Sequence, residues 1–507
     1  MNQRKAGVIL SYFNKLMSMG INLVYVPLLL FYMGTHEYGL YQLMGSVVAY
    51  IGLLDFGFSV TVSRFYTEYK ALKDRQRMEN LLATSAMIYG VLGVVILFAG
   101  SILYFFLGDI FGGSLTVNEL VSAHKIYVLL IINVLICVES QIFSAVINAE
   151  EQFFFMGLIS TISIILQPIV VLLVMQVSPY AYSFVLIQTV FYGASTIAQI
   201  IYAVGHLDMR ICYHGFDKRM IRSITGFSLT FFIICVMDQV FARSNQVILG
   251  ILSGTAAVAV YAIGSQIYMS YMPLATIITG VFFPKVTQMA ALNRPIEEFS
   301  ALFIRIGRLQ FLLVGLVLSG FMLFGQQFIH FWVGDNFSEA YWIALLVIFP
   351  VTFDIIQNIG STIMQARNEF SFRAKVGVVT GVSNILLVIP AVLYFGGIGC
   401  AAVSGIIVFI GNCVIMDWYY WRVLKLDIVT FWKNISKIGI GILFLMGIDI
   451  LLNTLTHQFM VFSIRELVLQ ICLYVILYLM GMKHFVLNDY EKGLWEQGWQ
   501  KLNKKKK

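Results

Sequence analysis

Apolar runs of about 20 residues recur along the whole of this chain, and they constrain its fold more than any other feature. A helix of that length crosses the roughly 30 Å hydrocarbon core of a bilayer. The composition agrees, since 59% of the residues are hydrophobic and 12% are charged, with a mean hydropathy of +0.85. Soluble domains contain about 25% charged residues, so a soluble globular protein and a disordered chain are both excluded. The sequence predicts an all-α integral membrane protein.

The apolar runs predict about fourteen transmembrane helices with short polar segments between them. Two closely spaced pairs are the least distinct, at 153–176 with 181–204 and at 375–395 with 398–420. A missed or an extra pair would still leave both termini on one side of the membrane. The remaining spans are 7–33, 38–62, 80–106, 121–148, 224–250, 256–282, 309–327, 340–364, 438–455 and 463–482.

The distribution of lysine and arginine predicts the orientation, because these residues are enriched in the cytoplasmic loops of membrane proteins. Nearly all of the 33 lysines and arginines fall in one alternate set of loops and in the two terminal segments. The exceptions are Lys125 and Arg465 in the opposite loops, and Lys15 and Arg243 inside spans. Both termini are therefore predicted to be cytoplasmic.

The short loops and the scattered cysteines and histidines indicate which functions to exclude. The loops leave no room for a catalytic domain, so we expect no enzyme. The six cysteines form no CxxC pair and the seven histidines show no ligand spacing, so we expect no metal site and no cofactor. The net charge of +7 resides largely in the loops and the terminal lysines, which does not indicate nucleic-acid binding.

Two halves of the sequence align with each other. At an offset of 220 residues, the short external turn that opens the second span matches a turn in the eighth. At an offset of 217, residues near the inner end of the fourth span match residues near the end of the tenth. With six spans in each half, the repeats are parallel, and such transporters carry substrate between their two lobes. The matches are Gly34, Thr35 and Tyr41 with Gly254, Thr255 and Tyr261, and Ser144, Ala149 and Phe153 with Ser361, Ala366 and Phe370.

The repeat predicts how the chain is divided. Residues 1–204 form an N-terminal six-helix lobe, 205–223 a basic cytoplasmic linker, and 224–420 a C-terminal six-helix lobe. Residues 421–482 add helices 13 and 14, and 483–507 form a basic cytoplasmic tail.

Ionisable residues inside a membrane are costly, which makes them functional candidates. Arg243 and Asp238 lie in the seventh span. Five helical positions place them about 140° apart, so they cannot easily pair with each other. Each therefore needs a partner on another helix, in water or on the substrate. Snorkelling or an interhelical salt bridge is the alternative for Arg243, and Lys15 in the first span could also snorkel to the cytoplasm.

Polar residues also recur at similar depth in equivalent spans of the two halves. Glu139 lies near Gln141 in the fourth span, and Asp354 lies near Gln357 and Asn358 in the tenth. They predict two walls of one wet cavity, and the alternative is hydrogen bonding between helices.

Charges at the inner ends of those two spans predict a gate. Glu150 and Glu151 end the fourth span, and Arg367 lies at the matching place after the tenth. A salt bridge between the two lobes would close the cytoplasmic side.

Several N-terminal motifs resemble those of one family. They are Arg4-Lys5-Ala6-Gly7 with Ser11-Tyr12, Gly34-x-x-x-Tyr38-Gly39-Leu40-Tyr41, Leu53-Leu54-Asp55-Phe56-Gly57-Phe58 and Ser63-Arg64-Phe65. The motifs cover about 65 N-terminal residues, and the rest of the chain is similar in its plan of spans and lobes. The resemblance is to the Wzx-type polysaccharide flippases of O-antigen and capsule. These belong to the oligosaccharidyl-lipid branch of the multidrug/oligosaccharidyl-lipid/polysaccharide (MOP) superfamily.

The resemblance implies a flippase that works by alternating access. Its substrate would be an undecaprenyl-pyrophosphate-linked oligosaccharide, moved from the cytoplasmic to the periplasmic leaflet of the bacterial inner membrane for surface polysaccharide and lipopolysaccharide biosynthesis. Its partners would be the bilayer, a polymerase and other polysaccharide-assembly membrane proteins. A desolvated diphosphate needs cations, and sugar hydroxyls need hydrogen-bonding groups. The expected roles are Arg243 and Lys15 for the diphosphate, Gln141, Gln357 and Asn358 for the glycan, Arg64, Lys285 and Arg308 for the cytoplasmic entrance, and Asp238, Glu139 and Asp354 for coupling to H⁺ or Na⁺.

A cation-coupled multidrug exporter and a lipid II flippase of the same superfamily are the alternatives. Such an exporter is expected to carry an acid in its first span, where this chain has Lys15 and no carboxylate. A lipid II flippase is expected to have a cavity richer in arginine. A membrane glycosyltransferase or a polymerase would need a large external loop.

Overall fold

The computed structural model describes residues 3–52, 58–215, 218–367, 369, 371–455, 463–493 and 496. Residues 53–57 of the N-terminal motifs, Phe370 of the repeat and most of the tail beyond 493 lie outside this description. In the described part all regular structure is helical. The helices are α1 Gln3–Gly52, α2 Phe58–Ala71, α3 Arg75–Phe111, α4 Val117–Ala149, α5 Phe153–Met175, α6 Ala181–His206, α7 Lys218–Ala291, α8 Ile296–Val333, α9 Glu339–Ile355, α10 Asn358–Ala366, α11 Ser371–Val408, α12 Met416–Arg422, α13 Ile428–Leu455 and α14 Ile464–Phe485, with a 3₁₀ turn at Asp335–Phe337 and a π-helical turn at Phe409–Ile415.

The prediction of an all-α multi-pass membrane protein is confirmed. Eleven helical segments of the described chain are long and apolar enough to cross a membrane. Three of the long helices, α1, α7 and α11, contain an internal break at a glycine. The number of fourteen spans stays a prediction.

Two of these breaks have the same backbone conformation. Gly34 in α1 has φ 75° and ψ 171°, and Gly254 in α7 has φ 78° and ψ −175°. This region of backbone space is accessible almost only to glycine. The two glycines are 220 residues apart, the offset at which the sequence aligns with itself. The third break, at Gly396, has φ 57° and ψ −140°.

The turns that follow repeat at the same offset. Lys73 and Asn293 both have positive φ, at 54° and 47°. The amide of Lys73 donates to the carbonyl of Lys70 over 3.0 Å, and that of Asn293 donates to the carbonyl of Ala290 over 3.1 Å. Helix ends follow the pattern, since α3 begins at residue 75 and α8 at 296, and α4 begins at 117 and α9 at 339. The predicted duplication therefore extends to the backbone.

The chain forms two compact units, Met1–Ala262 and Ile263–Lys507. The division between them falls inside α7, whereas the sequence places a linker at 205–223. The first part of α7 belongs to the first unit because it packs against α1 there: Leu43 fills the space beside Gly250, and Ser46 Oγ donates a hydrogen bond to Gln246 Oε1. The predicted lobe boundaries stay a prediction.

The segment that follows α6 is attached to the start of α3. Asp208 accepts hydrogen bonds from Arg75 over 3.0 Å and from Arg210 over 3.2 Å, and His214 Nε2 lies 2.8 Å from the carboxylate of Glu79. Hydrogen bonds from Arg210 and then Arg75 hold the pKa of Asp208 below its ordinary value. Asp208 and His214 of the predicted linker are thus fixed to the start of α3.

Within the first unit, α1 packs on α4 and α5, and α4 packs on α6. Asn14 fastens α1 to α5, because its Nδ2 donates to the Gly157 carbonyl over 2.9 Å and its Oδ1 accepts from Thr161 Oγ1 over 2.8 Å. Within the second unit, α8 packs on α9 and α13, and α9 packs on α11.

Candidate functional site

Arg243 lies in the first part of α7 and is half-buried. Its Nε is buried, and in the part of the chain that the structure describes it has no hydrogen-bond partner. The hydroxyls of Tyr41 and Tyr50, on α1, lie within electrostatic range of the guanidinium. Burying an N–H donor without a hydrogen-bond partner costs free energy, so the Nε of Arg243 is available to bind a ligand or water.

Aromatic side chains from α1 and α6 extend the site around Arg243. We call Tyr25, Tyr41, Phe184 and Tyr192 the aromatic cluster. The ring centroids of Tyr41 and Phe184 are 4.6 Å apart in an edge-to-face arrangement, and those of Tyr25 and Phe184 are 6.4 Å apart. Tyr192 lies within electrostatic range of Tyr41 and accepts a 3.1 Å hydrogen bond from Gln188 Nε2.

The aromatic cluster also carries polar atoms that the protein leaves unused. The hydroxyl of Tyr25 and the Oε1 of Gln188 are buried and, among the described residues, have no hydrogen-bond partner. A guanidinium binds phosphate oxygens through paired N–H donors. Aromatic rings offer flat apolar faces with a polar tip, which suits a sugar ring and its hydroxyls. Sequence reasoning found Arg243 but missed the aromatic cluster, although Tyr41 belongs to one of the N-terminal motifs.

Lys15 and Asp238 are the other candidates predicted near Arg243. Lys15 is exposed on α1. The side chain of Asp238 lies outside the described residues. Their predicted roles in diphosphate binding and in ion coupling stay predictions.

Glu139 and Gln141 occupy a regular stretch of α4. Glu139 is exposed, and its Oε1 lies 3.3 Å from the point where a Cβ on Gly93 of α3 would be. Gln141 is half-buried. The helix continues without interruption through both residues.

The equivalent region of the second repeat is irregular. The sequence predicts one helix over 340–364, but α9 ends at Ile355 and α10 begins at Asn358. At the break the backbone hydrogen bonding changes from a spacing of four residues to three, since the amide of Gln357 donates to the Asp354 carbonyl over 3.2 Å. The Gln357 side chain is 1% exposed, and neither of its polar atoms has a hydrogen-bond partner among the described residues.

A second irregular segment faces this break. Asp354 Oδ2 accepts a 3.1 Å hydrogen bond from Nδ2 of Asn412, in the π-helical turn Phe409–Ile415. Such turns are frequent at functional sites. Asp417, which the sequence reasoning missed, accepts a 2.6 Å bond from Trp432 Nε1 through one oxygen, while its buried Oδ1 has no partner in the described chain. The structure thus places Asp354 beside Asn412, a residue that the sequence analysis did not single out.

Two of the three predicted gate residues, Glu150 and Arg367, have described contacts inside their own units. Lys70 Nζ lies 2.6 Å from Glu150 Oε2, and the Tyr66 hydroxyl donates to Glu150 Oε1 over 3.3 Å. Glu151 has a positive φ of 60°. The Arg367 guanidinium lies 4.7 Å from the centre of the Phe299 ring. The inter-lobe salt bridge stays a prediction.

The three predicted entrance cations differ in their surroundings. Arg64 is exposed, with its guanidinium 5.8 Å from the centre of the Phe65 ring, and Lys285 is also exposed. Arg308 is only 4% exposed. It bonds both oxygens of Glu491, over 2.7 and 2.8 Å, and Asn434 Oδ1 over 3.1 Å. Its charge is bound within the second unit, so Arg308 is unsuited to the entrance.

Comparison with known proteins now assigns the family. Residues 5–290, more than half of the chain, match the family described as "Polysaccharide biosynthesis protein". The chain belongs to this family. No curated protein matches the sequence significantly in a direct comparison.

Solved structures show that this member of the family has the fold of MOP transporters. The lipid II flippase MurJ in an inward closed conformation is 15% identical, with a TM-score of 0.73 over 94% of this chain and 98% of that one. An inward-facing multidrug resistance MATE family transporter of the MOP superfamily is 14% identical, with a TM-score of 0.65 over 82% and 98%. A MOP superfamily transporter from Pyrococcus furiosus is 15% identical, with a TM-score of 0.56 over 87% and 97%.

Proposed function

We propose that this protein is a Wzx-type flippase that moves undecaprenyl-pyrophosphate-linked oligosaccharide repeat units from the cytoplasmic to the periplasmic leaflet of the bacterial inner membrane. The family to which the chain belongs is one of polysaccharide biosynthesis proteins. Its fold is shared with the lipid II flippase MurJ, which supports a lipid-linked cargo. The distribution of lysine and arginine supports cytoplasmic termini.

Arg243 is the observation that carries the proposal. A diphosphate cannot leave water without compensation, because a desolvated anion costs tens of kcal/mol. The buried Nε of Arg243 has no partner in the described chain and can bind a phosphate oxygen. The rings and hydroxyls of the aromatic cluster lie beside it and suit the attached sugars. An apolar drug would need neither the guanidinium nor the unused polar atoms.

In the proposed cycle, the head group binds at Arg243 and the aromatic cluster while the polyprenyl tail stays in the lipid. Alternating access then exposes the head group to the other side of the membrane. Exposed Arg64 and Lys285 would attract the anionic head group at the cytoplasmic entrance. A coupling ion, H⁺ or Na⁺, would act through Asp238, Glu139 or Asp354. Polymerase and other polysaccharide-assembly membrane proteins would take over the flipped product.

The test measures where lipid-linked repeat units accumulate in cells that depend on a variant of this protein. With Arg243→Ala, intact repeat units should build up on the cytoplasmic face, and surface polysaccharide should fall at least about tenfold, the loss expected for one charged hydrogen bond. Arg243→Lys should restore export in part, because an ammonium keeps the charge but not the paired donors. Lys125→Ala, which removes an exposed cation of the same unit, is the matched control and should export normally.

The alternatives give different results. Normal surface polysaccharide with Arg243→Ala in the membrane would remove this arginine from the site. Repeat units that accumulate on the periplasmic face would indicate a later step. No accumulation on depletion of the protein would favour the multidrug exporter.

A further inference from the structure

The two matched glycine breaks of the first unit are connected by a single carboxylate. Glu119 lies in the first turn of α4. Its Oε1 accepts a hydrogen bond from Thr255 Oγ1 over 2.6 Å and lies 3.1 Å from His36 Nδ1. Thr255 directly follows Gly254, and His36 is the second residue after Gly34. We call Glu119, His36 and Thr255 the Glu119 clasp.

The clasp uses both oxygens of an ionised carboxylate. Oε2 accepts from the amide and the hydroxyl of Thr116, over 2.9 and 2.8 Å, in a capping box that also fixes the start of α4. Nδ1 of His36, when it carries a proton, donates to Oε1 and to Thr255 Oγ1, which is 3.0 Å away. Every described hydrogen bond of the Glu119 carboxylate is therefore with a donor, and an amide in its place would offer only one acceptor oxygen.

Close backbone packing lies beside the clasp. A Cβ on Gly39 would fall 1.9 Å from the carbonyl oxygen of Thr255, so the segments that follow the two breaks touch each other through the backbone. Ser114 Oγ donates to the Gly250 carbonyl over 2.7 Å and holds the segment before the second break. Thr255 is 3% exposed. The clasp therefore closes a compact junction of α1, α4 and α7.

The clasp lies close in sequence to the end of the first unit. Thr255 begins the helical segment of α7 that carries the chain from the first unit, which ends at Ala262, into the second. At Gly34 no atom of the described residues lies within 4 Å of a Cβ position, so the described packing leaves the backbone there room to rotate. The His36 side chain is 72% exposed, so water reaches the edge of the clasp.

We propose that the Glu119 clasp is a latch: it fixes the directions in which α1 and α7 continue beyond Gly34 and Gly254, and its release is a step of the transport cycle. The glycine breaks allow the parts of α1 and α7 beyond Gly34 and Gly254 to take more than one direction, and the hydrogen bonds of the Glu119 carboxylate hold one of these directions. The latch rests on the proposed function only for its place in transport. Its structural part is independent of the cargo.

Hydrogen exchange of the purified full-length protein tests the structural part. Glu119→Gln and Thr255→Val should each accelerate exchange at residues 35–40 and 255–260 about tenfold or more, because these segments lose their fixed ends. Thr255→Val keeps the side-chain shape and leaves the capping box of α4 intact. Lys125→Ala is the matched control, since Lys125 is an exposed residue of the same helix as Glu119 and lies outside both measured segments. Unchanged exchange in both clasp variants would overturn the latch.

A cross-link tests the place of the latch in transport. In the doubly substituted His36→Cys, Thr255→Cys protein, a disulfide formed by oxidation should stop polysaccharide export, and reduction should restore it to the level of the His36→Cys and Thr255→Cys single variants. Export that continues in the cross-linked protein would show that the clasp need not open. If the unmodified chain itself restores no polysaccharide export, the proposed function fails, while the hydrogen-exchange result still decides whether the clasp fixes the two breaks.

Discussion

The first and second repeats share their backbone turns but not their polar interactions. Gly34 and Gly254 differ by only 3° in φ, 75° against 78°, and Lys73 and Asn293 adopt the same left-handed turn. The interior differs, since α4 is continuous where the second repeat is broken between α9 and α10. A duplication has thus kept the chain path in both copies and changed the chemistry inside one of them.

The two repeats differ in where irregular backbone meets polar side chains. In the first repeat, irregular backbone occurs at the glycine break, and the aromatic cluster lies on regular helices. In the second, irregular backbone coincides with polar side chains, at Gln357 and at the π-helical turn that carries Asn412. Broken helices place polar groups in the interior of membrane proteins. In the proposed function the first unit, which contains Arg243 and the aromatic cluster, holds the head group, and the broken helices of the second repeat respond to a proton or a cation.

The largest contrast is expected between the ion pairs of the two units. Arg308→Ala should destabilise the second unit by about 3–5 kcal/mol, because it leaves the buried carboxylate of Glu491 without its partner. Lys70→Ala removes a pair that is 45% exposed at the lysine and should cost less than about 1 kcal/mol. Thermal unfolding in detergent measures both. Equal losses would contradict the contrast.

Asp354→Asn and Glu139→Gln test the equivalent acids. Asp354→Asn weakens a charged hydrogen bond to Asn412, an effect of about 1.5–3 kcal/mol. Export should therefore fall about tenfold or more. Glu139→Gln changes an exposed side chain on a regular helix and should have a smaller effect. The initial rate of polysaccharide export at equal protein level is the measurement, and a greater loss with Glu139→Gln would reverse our assignment of the repeats.

The substitutions Gly34→Ala and Gly254→Ala test whether the two breaks need the same backbone conformation. Each substitution places a Cβ in a conformation that costs about 1–3 kcal/mol for residues other than glycine. Gly254→Ala should be the more harmful, because its Cβ would lie 3.1 Å from the Ser114 carbonyl oxygen, whereas no atom of the described residues lies within 4 Å of a Cβ on Gly34. The melting temperatures should rank wild type above Gly34→Ala above Gly254→Ala. A neutral Gly254→Ala would contradict the shared geometry.

The smallest effect is expected at the matched turns. Lys73→Gly relieves a left-handed conformation that costs about 1–2 kcal/mol, although glycine loses part of this gain through entropy. The variant should be more stable by up to about 1 kcal/mol. Asn293→Gly should be nearly neutral, since asparagine tolerates this conformation. Chemical denaturation of the two variants side by side would show whether the turns are equivalent.

The sequence was sufficient to predict the features that depend on apolar runs and on glycine positions. Apolar runs predict the helices, and the Gly34 and Gly254 motifs predict a repeat that the backbone then shows. The break at residues 356 and 357 was not predictable, because no proline or glycine lies at it. The burial of Arg308 depends on Glu491, 183 residues later, and the aromatic cluster joins α1 to α6. Such contacts leave no local pattern.

The ion pair of Arg308 with Glu491 has a consequence for how the protein is made. Ribosomal synthesis delivers Arg308 to the membrane 183 residues before its carboxylate partner exists. Until then the guanidinium must stay hydrated or bound to lipid phosphate, because an uncompensated charge in a low-dielectric interior is costly. Asn488 then fixes Glu491 by exchanging hydrogen bonds with it. Completion of the second unit therefore requires that translation has passed residue 491, and a chain truncated before Asn488 would leave the Arg308 guanidinium without its carboxylate partner.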